Sequence, residues 1–148
     1  MSRPLRIEYQ GAMYHVMNCG NQRQYVFRKK ADYATFLEKL EYFSGLFNVD
    51  IYCYSLMNNH FHLLLRTKRA NLGRFMQSFL TSFTVTLNRR NRKSGHLFQG
   101  RYKAQLVENH GYISKLSRYI HLNPVRVNKY KESSVEEKRN VLLNMQRA

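Results

Sequence analysis

Hydrophobic positions along this chain recur at two periods, and the switches between them mark out its elements. Tyr33, Phe36, Leu37, Leu40, Phe43 and Phe47 follow helical spacing, which lays one apolar stripe along a helix with Asp32 at its N-terminal end, where the helix dipole favours an acid. Leu72, Phe75, Met76, Phe79, Phe83 and Leu87 define a second amphipathic helix, with Asn71 in position to cap it. Ile113, Leu116 and Ile120 place a third stripe on the segment GYISKLSRYIHLN, and that helix is expected to stop near Asn123 because Pro124 follows.

Between these stripes the pattern is that of strands. Val49 to Met57 is rich in β-branched and aromatic residues, and His60 to Arg66 follows after Asn58 and Asn59. Two asparagines tolerate positive φ at a tight turn, so these segments predict a hairpin. Ala12 to Cys19 and Tyr102 to Glu108 are expected strands, Arg89 to Lys93 a basic loop, and Gly95 to Gly100 irregular.

The resulting order, β, α, β, β, α, β and a further α, predicts an α+β domain of ferredoxin-like (split βαβ) pattern. Two helices cover one face of an antiparallel sheet and the other face is left for a site. No repeat or linker divides the chain, which points to one domain over residues 1–130 and a C-terminal tail over 131–148. In the tail, Ser134 and Glu137 form a capping-box pattern ahead of Val141, Leu142 and Met145, the mark of a short helix.

Charge changes this picture of an ordinary domain. The 148 residues carry 25 Lys plus Arg against 9 Asp plus Glu, a formal net charge of +16. Self-repulsion of that size works against a compact state unless a polyanion neutralises it. The cations are clustered, at Arg28, Lys29 and Lys30; at Arg66, Lys68 and Arg69; at Arg89, Arg90, Arg92 and Lys93; and at Arg101 and Lys103. Any one cluster suits a solvated face, but four of them, with 11 Tyr and 9 Phe available for stacking on bases, make nucleic acid the expected partner.

Cys19 and Cys53 form no zinc or CxxC framework, which fits a reducing compartment. MSRPLRIEYQ lacks the apolar core of a signal peptide, and no stretch approaches the roughly 18 apolar residues of a membrane span. The expectation is a cytoplasmic, nucleoid-associated protein with no membrane partner.

The chemistry is concentrated in NHFHLLLR, residues 59–66. On a strand, His60 and His62 project from one face while Phe61, Leu63 and Leu65 project from the other. Two imidazoles side by side suit a shared metal ion; they equally suit a pair of surface or hydrogen-bonded histidines, because so short a motif is common by chance. Tyr119 and Asn123 stand one helical turn apart on the third helix. Asn123 can offer an amide oxygen as a third ligand, and Tyr119 a hydroxyl to a metal-bound phosphate. A tyrosine hydroxyl ordinarily titrates near about 10, so it attacks only when the phosphate is polarised and held in line. The competing reading of Tyr119 is a helix tyrosine packed beside Leu116 and Ile120.

Three ordered blocks settle what these residues resemble. MNNHFHLLLR (57–66), GHLFQGRYKAQLVE (95–108) and YISKLSRYIHLNPVRV (112–127) are similar to the hallmark blocks of REP-associated tyrosine transposases. These belong with insertion-sequence tyrosine transposases in the HUH single-strand endonuclease superfamily. GAMYHVMNCGN (11–21) resembles their first strand.

The resemblance implies that His60 and His62 bind Mg²⁺ or Mn²⁺ on the open sheet face, with Asn123 as the third ligand, and that Tyr119 is the nucleophile. It also implies a substrate of single-stranded or hairpin DNA, and a product with a 5′-phosphotyrosine and a free 3′-OH. Insertion-sequence relatives usually carry Gln where Asn123 stands, which favours the REP-associated branch; PVRVNK departs from a frequent PVRAG without touching a catalytic position. Arg66, Arg89, Arg90, Arg92, Lys93, Arg101 and Lys103 are the expected DNA contacts, in a monomer or a homodimer. The contrasting expectation is a ferredoxin-like nucleic-acid-binding module without chemistry. Against it stand the absence of an RNP1-like pattern and histidines where stacking aromatics belong.

Overall fold

The structure is a computed structural model and describes residues 6–126; the expected tail helix lies outside them. Strand β1 (Met13–Cys19) is followed by a single 3₁₀ turn (Asn21–Arg23), helix α1 (Lys30–Phe47) and strands β2 (Val49–Leu56) and β3 (His60–Thr67). Helix α2 (Leu72–Asn91), strand β4 (Lys103–Leu106) and helix α3 (His110–Arg126) complete the order. The strands form one sheet in the order β2-β3-β1-β4, with every neighbouring pair antiparallel. This is the ferredoxin-like arrangement that the element order predicted.

The period-2 alternation of β1 and β3 assigns each face. Tyr14, Val16, Phe61, Leu63 and Leu65 point to the side of α1 and α2 and are essentially fully buried. Phe36 of α1 sits at the centre of that layer, 5.1 Å from Phe61, 4.9 Å from Phe79 and 5.1 Å from Phe83 between ring centroids. All six apolar positions of the α2 stripe are buried. Tilted and edge-to-face rings of this kind contribute about 0.5–1.5 kcal/mol per pair beyond the area they bury.

The opposite face is not bare. Helix α3 packs across the β2 side of it, burying Leu116, Ser117 and Ile120 against a strand whose register is broken by a bulge. Ile51 pairs with Leu65 while Cys53 pairs with Leu64, leaving Tyr52 as the extra residue. The bulge resets the alternation, so Ile51 serves the α1/α2 layer and Cys53 the α3 layer.

Several local expectations are corrected. The hairpin forms, but neither Asn58 nor Asn59 has positive φ. Their carbonyls point away from the turn and accept from Val26 and Phe27 (Asn58) and from Gly20 (Asn59), so the loop after β1 holds the turn in place of left-handed geometry. Asn71 occupies the cap position of α2 without capping through its side chain; its amide donates to the Phe47 carbonyl at 2.8 Å. The Glu8 carboxylate accepts from Gly73 N instead, at 2.8 Å.

Arg89 to Lys93 is not a loop: α2 continues to Asn91 and closes at Arg92, whose φ is 53°. Basic residues suit a helix C-terminus, and Arg90 is anchored to α1. Helix α3 does not stop at Asn123 but runs through Pro124 to Arg126. The proline's own φ is helical, so its cost is one lost bond to the Ile120 carbonyl and crowding at Asn123, within the final turn. Strand β4 is shorter than Tyr102 to Glu108.

Candidate functional site

The sheet face beneath α3 is built in rows. Lys103, Met17, His62 and Ser55 stand side by side across β4, β1, β3 and β2, and Gln105, His15, Leu64 and Cys53 form the adjoining row. His60 is opposite Cys19 at the end of the sheet, and Arg66 opposite Met13 at the other. The pairing therefore puts His60, His62 and Arg66 on one face with His15.

The histidines form a connected group. His62 is buried, at 2% exposure, and its Nδ1 lies 2.9 Å from Nε2 of His15, the two rings edge to edge and nearly coplanar with centroids 5.1 Å apart. His60 is half-buried, its ring 5.2 Å from that of His62 and nearly perpendicular to it. Its Nδ1 is 2.7 Å from Oδ1 of Asn59. Because an amide oxygen only accepts, His60 donates through Nδ1 and carries its lone pair on Nε2.

Burial pushes His15 and His60 below the usual histidine range. His62 falls to about 3, through burial first and then repulsion from His15 and His60. All three rings are thus neutral near pH 7, the form in which imidazole can ligate a metal.

Tyr119 comes to this group from α3, which packs on the histidine face. Its ring meets that of His62 edge-on at a centroid distance of 6.2 Å, and it keeps 41% exposure. Leu116 and Ile120, its neighbours on the helix, are buried. The backbone of Asn123 follows one turn along the same helix, and its side chain lies outside the described part. Among the described residues no three His, Cys, Asp or Glu side chains could hold a metal together. His60 and His62 project from the same face of β3 with their rings adjacent.

The site opens toward β4. On the same face, Lys103 and Gln105 are exposed, whereas the β2 side lies under α3. Arg66 has its guanidinium over the Tyr52 ring at 5.6 Å. Arg101 borders a groove of about 730 Å³ between α2 and residues 95–102, with Arg74 on the same groove. Arg89, Arg92 and Lys93 are exposed at the C-terminal end of α2, and Lys93 lines one pocket with Asn21 and Arg28 of the loop after β1. Arg90 is differently placed: it donates to the buried Asp32 carboxylate at 3.1 Å and to Thr35 Oγ1 at 2.7 Å.

Sequence reasoning missed His15 and Ser55, the latter buried beside His62 in its row with a hydroxyl that has no hydrogen-bond partner among the described residues. The signal for His15 was the pairing of YHVMNC with the histidine strand, which alternation alone does not reveal. Among the described residues no helix is long and apolar enough to cross a membrane.

Comparison with known proteins places this geometry. A REP-associated tyrosine transposase solved bound to a REP hairpin superimposes with a TM-score of 0.71 at 16% identity, over 85% of this chain and 74% of that one. A putative transposase from Deinococcus radiodurans R1 superimposes with a TM-score of 0.56, also at 16% identity, over 80% and 95% of the two chains. At such identities the likeness is one of fold. No curated protein sequence matches. Residues 8–123, nearly the whole described domain, match the family described as "Transposase IS200 like", and the chain belongs to that family.

Proposed function

We propose that this chain cuts and rejoins single-stranded DNA beside a hairpin, with Tyr119 as nucleophile and with a divalent ion, Mg²⁺ or Mn²⁺, held by His60 and His62 with Asn123. The observation that carries it is the approach of Tyr119 to His62 on a half-covered sheet face. The fold shared with a protein solved bound to a REP hairpin supports a hairpin as the structure recognised.

The bound ion supplies charge neutralisation and polarisation of the scissile phosphate. The chain's own residues do the rest. His60 and His62 present neutral nitrogen donors from one strand, fixed by cross-strand pairing. Tyr119 stays solvent-accessible on α3, where its hydroxyl forms the Oη–P bond as the bond to the 3′ oxygen breaks. The phenolic proton passes to solvent and the departing oxygen becomes a 3′-OH. One phosphodiester replaces another, so the step is close to thermoneutral and can be reversed to join a new strand. Lys103 neutralises the DNA at the opening, and Arg66, Arg101, Arg89, Arg92 and Lys93 are available to phosphates farther along the DNA.

The test is a fluorescent hairpin oligonucleotide carrying the natural flank of the gene, incubated with the protein and Mg²⁺ or Mn²⁺. A covalent adduct that resists denaturation is expected with the native chain and not with Tyr119→Phe. An adduct that persists in Tyr119→Phe removes the nucleophile assignment. DNA binding that is unchanged in EDTA, with no cleavage of any single-stranded substrate, replaces the proposal with a binding module.

A further inference from the structure

His15 lies outside the pair just assigned, yet it is the group that addresses His62 from inside the protein. It stands on β1 directly opposite Leu64, one diagonal step from His62, and cross-strand diagonals are within reach of long or aromatic side chains. The contact is buried, 2.9 Å from Nε2 of His15 to Nδ1 of His62, and the rings are within 19° of parallel.

A hydrogen bond between two neutral imidazoles has one donor and one acceptor, so it can be made in two ways. If His15 donates, His62 carries its proton on Nε2, and that nitrogen has no lone pair for an ion. If His62 donates, its proton is on Nδ1 and its lone pair on Nε2. His60 supplies the internal comparison, because Asn59 Oδ1 at 2.7 Å requires a proton on its Nδ1. In His62 the Nδ1 is taken by His15, so only Nε2 is left to face an ion, and it can do so only if the proton is on Nδ1.

We propose that His15 is a positioning residue that accepts the Nδ1–H of His62, so fixing the tautomer and ring orientation in which His62 Nε2 serves as a ligand. His15 does for His62 what Asn59 does for His60. Partners of this kind raise ligand basicity and hold ring orientation, and their loss typically weakens metal affinity about 10–100-fold. The inference rests on the metal-binding role proposed for His60 and His62, but its first readout needs no metal.

Long-range ¹H–¹⁵N correlation spectra of the metal-free, ¹⁵N-histidine-labelled protein report which ring nitrogen of His62 is protonated. The Nδ1–H tautomer is expected in the native chain; the Nε2–H tautomer overturns the proposal. Mn²⁺ affinity, followed by electron paramagnetic resonance of the free ion, is expected to fall about 10–100-fold in His15→Phe. It should return to within a few-fold of native in His15→Gln, whose Oε1 can accept at the same reach. Equal Mn²⁺ affinity in His15→Phe and the native protein also overturns it. Should the native protein bind no Mn²⁺, the metal role of His60 and His62 fails, while the tautomer spectrum still decides what His15 does to His62. If His15→Phe does not fold, the native spectrum and His15→Gln carry the test.

Discussion

Arg90 and Asp32 join the last turn of α2 to the first turn of α1. The Asp32 carboxylate is fully buried and accepts from the Arg90 guanidinium at 3.1 Å, from Arg28 N at 2.9 Å and from Lys29 N at 3.2 Å. Arg90 is thereby set apart from its basic neighbours. Arg90→Met is expected to destabilise the fold by roughly 2–3 kcal/mol, below the about 3–5 kcal/mol of a fully buried pair because the guanidinium is partly solvated. Urea unfolding of the two proteins measures this. A loss within about 0.5 kcal/mol would assign Arg90 to the surface.

The same distinction carries to DNA. The affinity of a protein for a single strand falls with salt at a slope of about −0.7 per phosphate neutralised. Lys103→Ala, on the open side of the histidine face, is expected to make that slope shallower by about 0.7, and Arg90→Met is expected to leave it unchanged. Fluorescence anisotropy of a labelled oligonucleotide across a salt series is the measurement. A slope that moves with Arg90 and not with Lys103 would place the strand on the helix layer.

Cys53 provides a probe of how α3 is seated. Its thiol is fully buried and hydrogen-bonded to Ser117; burial pushes its pKa up to about 12, against the smaller, lowering influence of that bond. Because the thiolate is the reactive form and the folded-state value is raised, Cys53 should stay protonated and inert to a disulfide reagent from pH 7 through 9. It should react once the chain is unfolded in guanidinium. Labelling of native protein at Cys53, located by peptide mass spectrometry, would mean that α3 leaves the sheet readily.

Much of this arrangement was legible in the sequence, and what was not has a common cause. The stripe on α2 is a single-helix property, readable because all six of its apolar positions face one core. The shared face of His60 and His62 follows from strand alternation alone. Spacing put Tyr119 and Asn123 one turn apart on α3, but it does not say which sheet face that helix covers. His15 was hidden because β1 is buried on both faces, which erases the polar-apolar contrast that alternation depends on. Arg90 with Asp32, and Glu8 at the start of α2, are long-range pairings between residues 58 and 65 positions apart, and no local pattern announces them. Pro124 misled for the opposite reason, a strong local preference that the helix overrides.

The two histidines of the pair should differ in stability while agreeing in function. His62 is buried and hydrogen-bonded to His15, so His62→Ala leaves the Nε2 of the buried His15 without that partner. An unsatisfied buried polar group costs about 1–3 kcal/mol. His60 is half-buried, and its partner Asn59 lies in the turn between β2 and β3, where solvent can replace the lost bond, so His60→Ala should cost under about 1 kcal/mol. If both hold one ion, each variant should nevertheless lose the covalent DNA adduct to a similar extent. Urea unfolding and adduct yield measured on the same preparations separate the two effects. A stable His60→Ala variant that still forms the adduct at the native level would take His60 out of the reaction.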